Sequence, residues 1–325
     1  MRAPLLLALL LAGLLLAALA AGDRPAPVGD LLAALLSRPG ASPQLAFILH
    51  ELRLPRALMA ALIGAGLGLA GTLAQAAMRN PLAEPGLLGI NGGAALAALL
   101  VMVAIPGVAQ GWLPLAAFAG AIAMAALIQA LATRVGFGSQ RIILIGVGLG
   151  AMTGGAASFI SAFGEITAVQ RALIWLSGSL QDAPWPRVRL LALWLLPAAL
   201  AARLAARALD LLAHEDAVAR GLGLRTRAAR GAVLGLCALI AAAAVAAAGP
   251  VAFIGLMAPH IGRRLAGPAH GRLLPVAALA GACLLLAADT AGRVVVAPAQ
   301  IPAGVVSALM GAPFFGWLMW WRRDA

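Results

Sequence analysis

The chain has 325 residues, is 63% hydrophobic and only 10% charged, and has a mean hydropathy of +1.00. That composition excludes a soluble globular domain and calls for transmembrane helices. The net charge of +12 does not mark a nucleic-acid binder, because the basic residues are scattered between apolar runs; all 23 are Arg, so a P-loop ATP site and Schiff-base chemistry, which both need Lys, are excluded too.

In chain order, residues 1–22 carry an apolar run of about 18 residues, long for a secretory signal and sufficient for a span, so a retained first helix is expected. A mixed stretch to Glu51 follows, with a short amphipathic helix expected at Asp30–Leu36. Apolar runs then recur at 57–78, 86–105, 112–133, 142–163, 190–209, 231–248, 249–262 (short), 274–296 and 301–321, about ten spans with the first. An even count puts both termini on one side. Eight of the 23 Arg then fall on the opposite side: Arg24, Arg38, Arg53, Arg56, Arg171, Arg187, Arg189 and Arg293. The larger remainder places the termini in the cytoplasm.

Between the fifth and sixth of the later runs lies the one polar island, Arg203 to Arg230, with six Arg and the acids Asp210, Glu215 and Asp216. Within it, Asp216–Leu224 reads as a short helix. Glu215 and Asp216 favour its positive end, and Gly221 or Gly223 ends it. Ala217, Val218 and Leu222 would form a small apolar face beside Arg220, a knob suited to a partner's groove.

Two broken segments interrupt the apolar pattern, Met78–Gly89 and Gly249–Arg264. Irregular backbone at membrane depth is tolerated only against protein or a water-filled cavity, so these breaks mark a route. Spans rich in Gly, such as Ile63–Gly71, favour close helix approach. Gly66, Gly68 and Gly71 match a dinucleotide fingerprint in spacing only, since no strand precedes them. Asp289 and Arg293 stand four apart and can pair. Glu165 and Arg171 flank an external turn. Cys237 and Cys283 read as small core residues, and His260 as a packing or capping residue. His50-Glu51 lacks the second His of a zinc helix, and Ser177 and Ser179 lack a His/Asp partner pattern, so no metal, cofactor or catalytic residue is expected.

Several segments together resemble the FecCD-type permeases, the membrane subunits of binding-protein-dependent ABC importers for ferric siderophores, haem and cobalamin. They are Leu52-Arg-Leu-Pro-Arg56, Gln75 with Arg79-Asn-Pro-Leu-Ala-Glu-Pro-Gly-Leu-Leu-Gly89, Asp216–Gly223, Gly249–Arg263, Leu274-Pro275, Ala288-Asp289, Ile301–Gly304 and Gly311-Ala-Pro313. The resemblance runs from about residue 50 to the end, in family order. Two departures remove an acid: Gln300 stands before Ile301-Pro302, and Ala269 before His270.

The resemblance implies an all-α, polytopic, type II ABC importer permease with ten helices, forming one domain over 1–325 with a cytoplasmic coupling loop at 210–230. It implies no enzyme activity of its own, a cytoplasmic ATPase dimer, a periplasmic or lipid-anchored solute-binding protein, and a second permease copy or close paralogue, within membrane lipid. Glu215, Asp216, Val218, Arg220, Gly221, Leu222 and Gly223 match the coupling helix. Arg53, Arg56 and Arg293 match positions that meet acidic residues of the binding protein, and Asn80 and Leu82 a region lining the gate. Ferric siderophores are the expected cargo; cobalamin or haem is the alternative, and a secondary transporter the rival outside the class.

Overall fold

The computed structural model describes residues 2–22, 28–35, 42–105, 110–135, 139–181 and 183–321. Arg24, Arg38, Arg322 and Arg323, which entered the charge asymmetry, lie outside the described residues. Among those described there is helix and no strand. Helix α1 (Arg2–Ala20) leads to α2 (Val28–Leu35), the short helix expected at Asp30–Leu36, and α3 (Pro43–Phe47). A π-helical turn, Ile48–Arg53, runs into α4 (Leu54–Met78), so that Pro43–Met78 is continuous over 36 residues.

A 3-10 turn (Pro85–Leu88) precedes α5 (Ile90–Leu99), itself extended by a π turn to residue 104. There follow α6 (Leu113–Val135), α7 (Ser139–Phe163), α8 (Ile166–Leu176), α9 (Trp185–Leu204), α10 (Ala206–Leu212) and α11 (Asp216–Gly221). The chain closes with α12 (Thr226–Ala248), α13 (Ile254–Ala266), α14 (His270–Val294) and α15 (Ala303–Trp321).

Six of these, α1, α4 with its lead-in, α6, α7, α12 and α14, are long and apolar enough to cross a membrane. The pair α9–α10, bent by 56° at Ala205, makes a seventh. The shorter α5, α13 and α15 occupy the remaining runs read from the sequence. Helix α3, the π turn after it and helix α8 were not expected. Residues 166–176 form a helix where the sequence suggested a turn, because the Glu165 carboxylate caps it, accepting the N–H groups of Thr167 (3.0 Å) and Ala168 (2.9 Å).

Helix α4 is the axle of the bundle. It is buried on almost every side and packs against α14, α12, α13 and α9. In lipid no hydrophobic drive presses helices together, so approach depends on small residues. Gly64 and Gly281 face each other so closely that a Cβ on either would collide with the other's carbonyl. Gly71 lies in the same way on the carbonyl of Gly255 in α13. Gly93 and Gly120 repeat the arrangement between α5 and α6. On the outside, Leu144, Val147 and Met152 of α7 and Leu193, Leu196 and Leu200 of α9 are exposed, as a lipid-facing surface requires. Cys237 and Cys283 are buried and unlinked, and His260 is buried with Nδ1 2.9 Å from the Leu256 carbonyl and its ring edge-on to Phe314.

Candidate coupling, gate and docking sites

Helix α11 stands at one end of the bundle. It is six residues long, too short to hold itself, since a helix nucleus fixes several residues before bonds repay it. Its end is set by Gly223, whose φ of +86° suits glycine; Gly223 N–H bonds to Arg220 O and Leu224 N–H to Ala219 O. Only Ala219 turns into the bundle. Val218 and Leu222 are 51% and 62% exposed, and Glu215, Arg220, Gly221 and Gly223 face solvent as well. Glu215 occupies the N-cap position without a side-chain capping bond.

Asp216 is occupied differently. Its Oδ1 accepts from Arg230 Nη2 at 2.8 Å and lies 3.1 Å from Arg79 Nη2. The Arg230 hydrogen bond, with the fields of Arg230, Arg79 and Arg220, holds its carboxyl below the usual Asp range against a smaller opposing effect of burial.

Arg79 is the C-cap of α4, in the left-handed region at φ +46°. It leads directly into the first broken segment. There Asn80 Oδ1 accepts the Leu82 N–H at 2.9 Å, a tight Asx turn that presents both predicted gate residues together, each half-buried. Further on, Pro85 lies against Gly255 in the second broken segment, two residues beyond Phe253. Phe253 is itself left-handed (φ +66°), and its ring lies against Gly311 of α15, where no Cβ would fit. The two breaks separated by 160 residues of chain are thus one contact region. Gln75 of α4 adds a tie to α13 by accepting from Arg263.

At the same end as α11, Ala269 leaves α14 without a capping side chain of its own. Asp210 of α10 supplies one: its Oδ1 accepts the His270 N–H at 2.8 Å and lies 2.7 Å from His270 Nδ1.

The opposite end gathers Arg53, Arg56 and Arg293 around a cavity of about 670 Å³, together with Glu51, Arg187 and Gln300. Asp289, fully buried, receives Arg56 through Nε (3.1 Å to each oxygen) and Nη2 (2.8 Å), and Arg293 Nε at 3.3 Å. The Asp289–Arg293 pairing expected from their spacing is present. Arg56 Nη1 also donates to Gln300 Oε1 at 2.8 Å, so the amide that stands before Ile301-Pro302 still meets a cation. Arg53 and Arg293 reach α1. Arg53 Nη1 donates to Leu19 O at 2.7 Å and Arg293 Nη2 to Ala18 O at 3.0 Å, which satisfies carbonyls that end a helix without partners. Arg53 is 8% exposed and Arg293 6%.

The residues expected from sequence therefore fall into two groups at opposite ends, with Asn80 and Leu82 adjoining the first. Arg79, Arg230 and Asp289 join them as structural partners. Arg79 and Asp289 stand in the family-like segments, and Asp289 also has the i,i+4 spacing to Arg293; Arg230 carried no signal beyond closing the polar island.

An all-helical bundle with this many long apolar helices and two polar ends is that of a multi-pass membrane protein. The family model of the FecCD transport family matches residues 8–321, and the chain belongs to that family. It is 40% identical over 314 residues to the Fe(3+) dicitrate transport system permease protein FecD of Escherichia coli (strain K12), covering 96% of each chain. It is 40% identical over 275 residues to the achromobactin transport system permease protein CbrC of Dickeya dadantii (strain 3937), covering 84% of this chain and 79% of that one. Among solved structures, an inward-facing metal-chelate type ABC transporter superposes with a TM-score of 0.88 at 28% identity, covering 98% of this chain and 99% of that one.

Proposed function

We propose that the protein is the transmembrane permease subunit of a binding-protein-dependent ABC importer for iron complexes, with ferric siderophores as cargo. The observation that carries this reading is α11: a helix too short to stand alone, pinned by Asp216, with Val218 and Leu222 turned to solvent. Such a knob is suited to a cleft on a separate ATPase dimer, and the chain has no Lys with which to build an ATP site itself. The α11 end is then cytoplasmic, as are both termini, in a bacterial inner membrane. The Arg53–Arg56–Arg293 end faces a periplasmic or lipid-anchored binding protein. Its arginines, held in place by Asp289, Gln300 and the α1 carbonyls, line a cavity in which acidic residues of that protein can be steered into register. Asn80 and Leu82 form the gate turn. The permease works as a pair, two copies or one with a close paralogue, and supplies no chemistry. ATP binding at the partner biases two arrangements of the bundle, and cargo discriminates between them. Iron cargo is supported by relatives named for ferric dicitrate and achromobactin.

The test is reconstitution in liposomes with the cognate ATPase and binding protein and a radiolabelled ferric chelate. ATP-dependent accumulation, competed by unlabelled ferric chelate, is expected. Competition by cobalamin or haem instead would reassign the cargo, and accumulation by the isolated chain would overturn the ABC reading.

A further inference from the structure

The reading of α11 as the ATPase seat leaves open how its movement reaches a gate in the bundle. Among the described residues, α11 is held by its covalent flanks, by the buried Ala219 and by the Asp216 carboxylate. The two cations on that oxygen differ. Arg230 belongs to α12 and is buried, its side chain 6% exposed. Arg79 is more than a third exposed, and a pair so exposed contributes little static stability, roughly 0–1 kcal/mol. A weak, solvent-exchanging contact is poor glue but a suitable joint, because it re-forms at low cost in a second geometry.

Arg79 is also placed to pull. Its Nη1 donates to His214 O at 3.1 Å, so it holds the base of α11 twice. Its backbone is the last residue before the Asn80 turn, and Asn80 N–H closes back on Gln75 O at 3.2 Å. Just beyond that turn, Pro85 packs against Gly255 in the second break.

We propose that Asp216 is a positioning residue that acts through Arg79 to carry a displacement of α11 into the Asn80–Leu82 turn, and that Arg230 is the fixed anchor of the same joint. The proposal rests on the coupling reading above and adds the route to it. A contiguous set of contacts does not by itself demonstrate coupling, so the test must perturb the joint and watch both ends.

The experiment uses the full complex with its ATPase in lipid nanodiscs, in a Cys237→Ala, Cys283→Ala background. Spin-label pairs are placed at Ala213→Cys with Arg272→Cys, and at Leu82→Cys with Arg272→Cys, and distances are measured with and without ATP. In the otherwise native chain both distances shift. With Arg79→Gln, the Ala213 shift and ATP hydrolysis persist while the Leu82 shift collapses, and uptake falls about tenfold, within the range of typical coupling energies. Arg79→Lys restores part of the Leu82 shift, which a purely structural loss would not. A full Leu82 shift in Arg79→Gln overturns the relay and leaves the coupling reading standing. No Ala213 shift in the native complex overturns the coupling reading, and the relay with it.

Discussion

Replacing Asp289 by Asn tests the ion cluster at the end opposite α11. The side chain is fully buried and is the only acid that Arg56 and Arg293 share among the described residues. The amide keeps the shape but removes the charge, leaving two guanidinium groups uncompensated in a low-dielectric site. Breaking a buried pair from one side costs about 3–5 kcal/mol. Arg56 retains Gln300, and Arg293 retains the Ala18 carbonyl, so the lower end, about 3 kcal/mol, is expected. That is roughly a hundredfold in the ratio of folded to unfolded protein. The assay is SDS titration of the detergent-solubilised permease followed by tryptophan fluorescence. The triple change Arg56→Met, Asp289→Leu and Arg293→Met removes the whole ion cluster and should recover much of the loss, because apolar replacement of a complete buried pair or triad is often neutral. A single Asp289→Asn variant whose midpoint matches the native protein would refute the reasoning.

Val218→Asp and Leu222→Asp should abolish co-purification of the ATPase and ATP-driven uptake while leaving the unfolding midpoint unchanged, since both side chains lie in solvent; retention of both functions would end the assignment of α11. Gly281→Val should cost at least about 2 kcal/mol of bundle stability, because the new side chain meets the Gly64 carbonyl rather than a movable side chain; normal folded yield by size-exclusion chromatography would contradict the close packing of α4 on α14. The joint at Asp216 should be insensitive to pH through the neutral range. Its carboxyl titrates below the unfolded value, so its contribution is present above that value and is lost only as pH falls through the lowered one; a spin label at Ala213 that became mobile already between pH 7 and 6 would show the cluster to be absent.

The spans were legible because lipid imposes a length and a polarity on every crossing helix, and the runs at 57–78 and 274–296 meet both demands unaided. Helix α11 was legible from Gly223 and its acids. Helix α8 was not, because its start depends on a Glu capping two N–H groups of its own, in an apolar stretch of 11 residues, too short to carry a span pattern. The partners of Arg53 and Arg293 were hidden for another reason. They are backbone carbonyls of α1, and a carbonyl leaves no mark on the residue type that bears it. The link from Arg56 to Asp289 spans 233 residues, beyond any periodicity. The two breaks were legible from their prolines and glycines, but that they pack on each other, Pro85 against Gly255, was not.

The grip of Arg293 on the last turn of α1 has a consequence for how the protein is made. Arg293 leaves the ribosome 275 residues after Ala18. Of the two arginines that hold that turn, Arg53 is made early, together with Ala34 and Leu49, which pack on Leu19, while Arg293 comes only near the end. Final seating of the oldest helix therefore waits for one of the youngest, and the nascent chain stays open along that seam until translation is nearly finished.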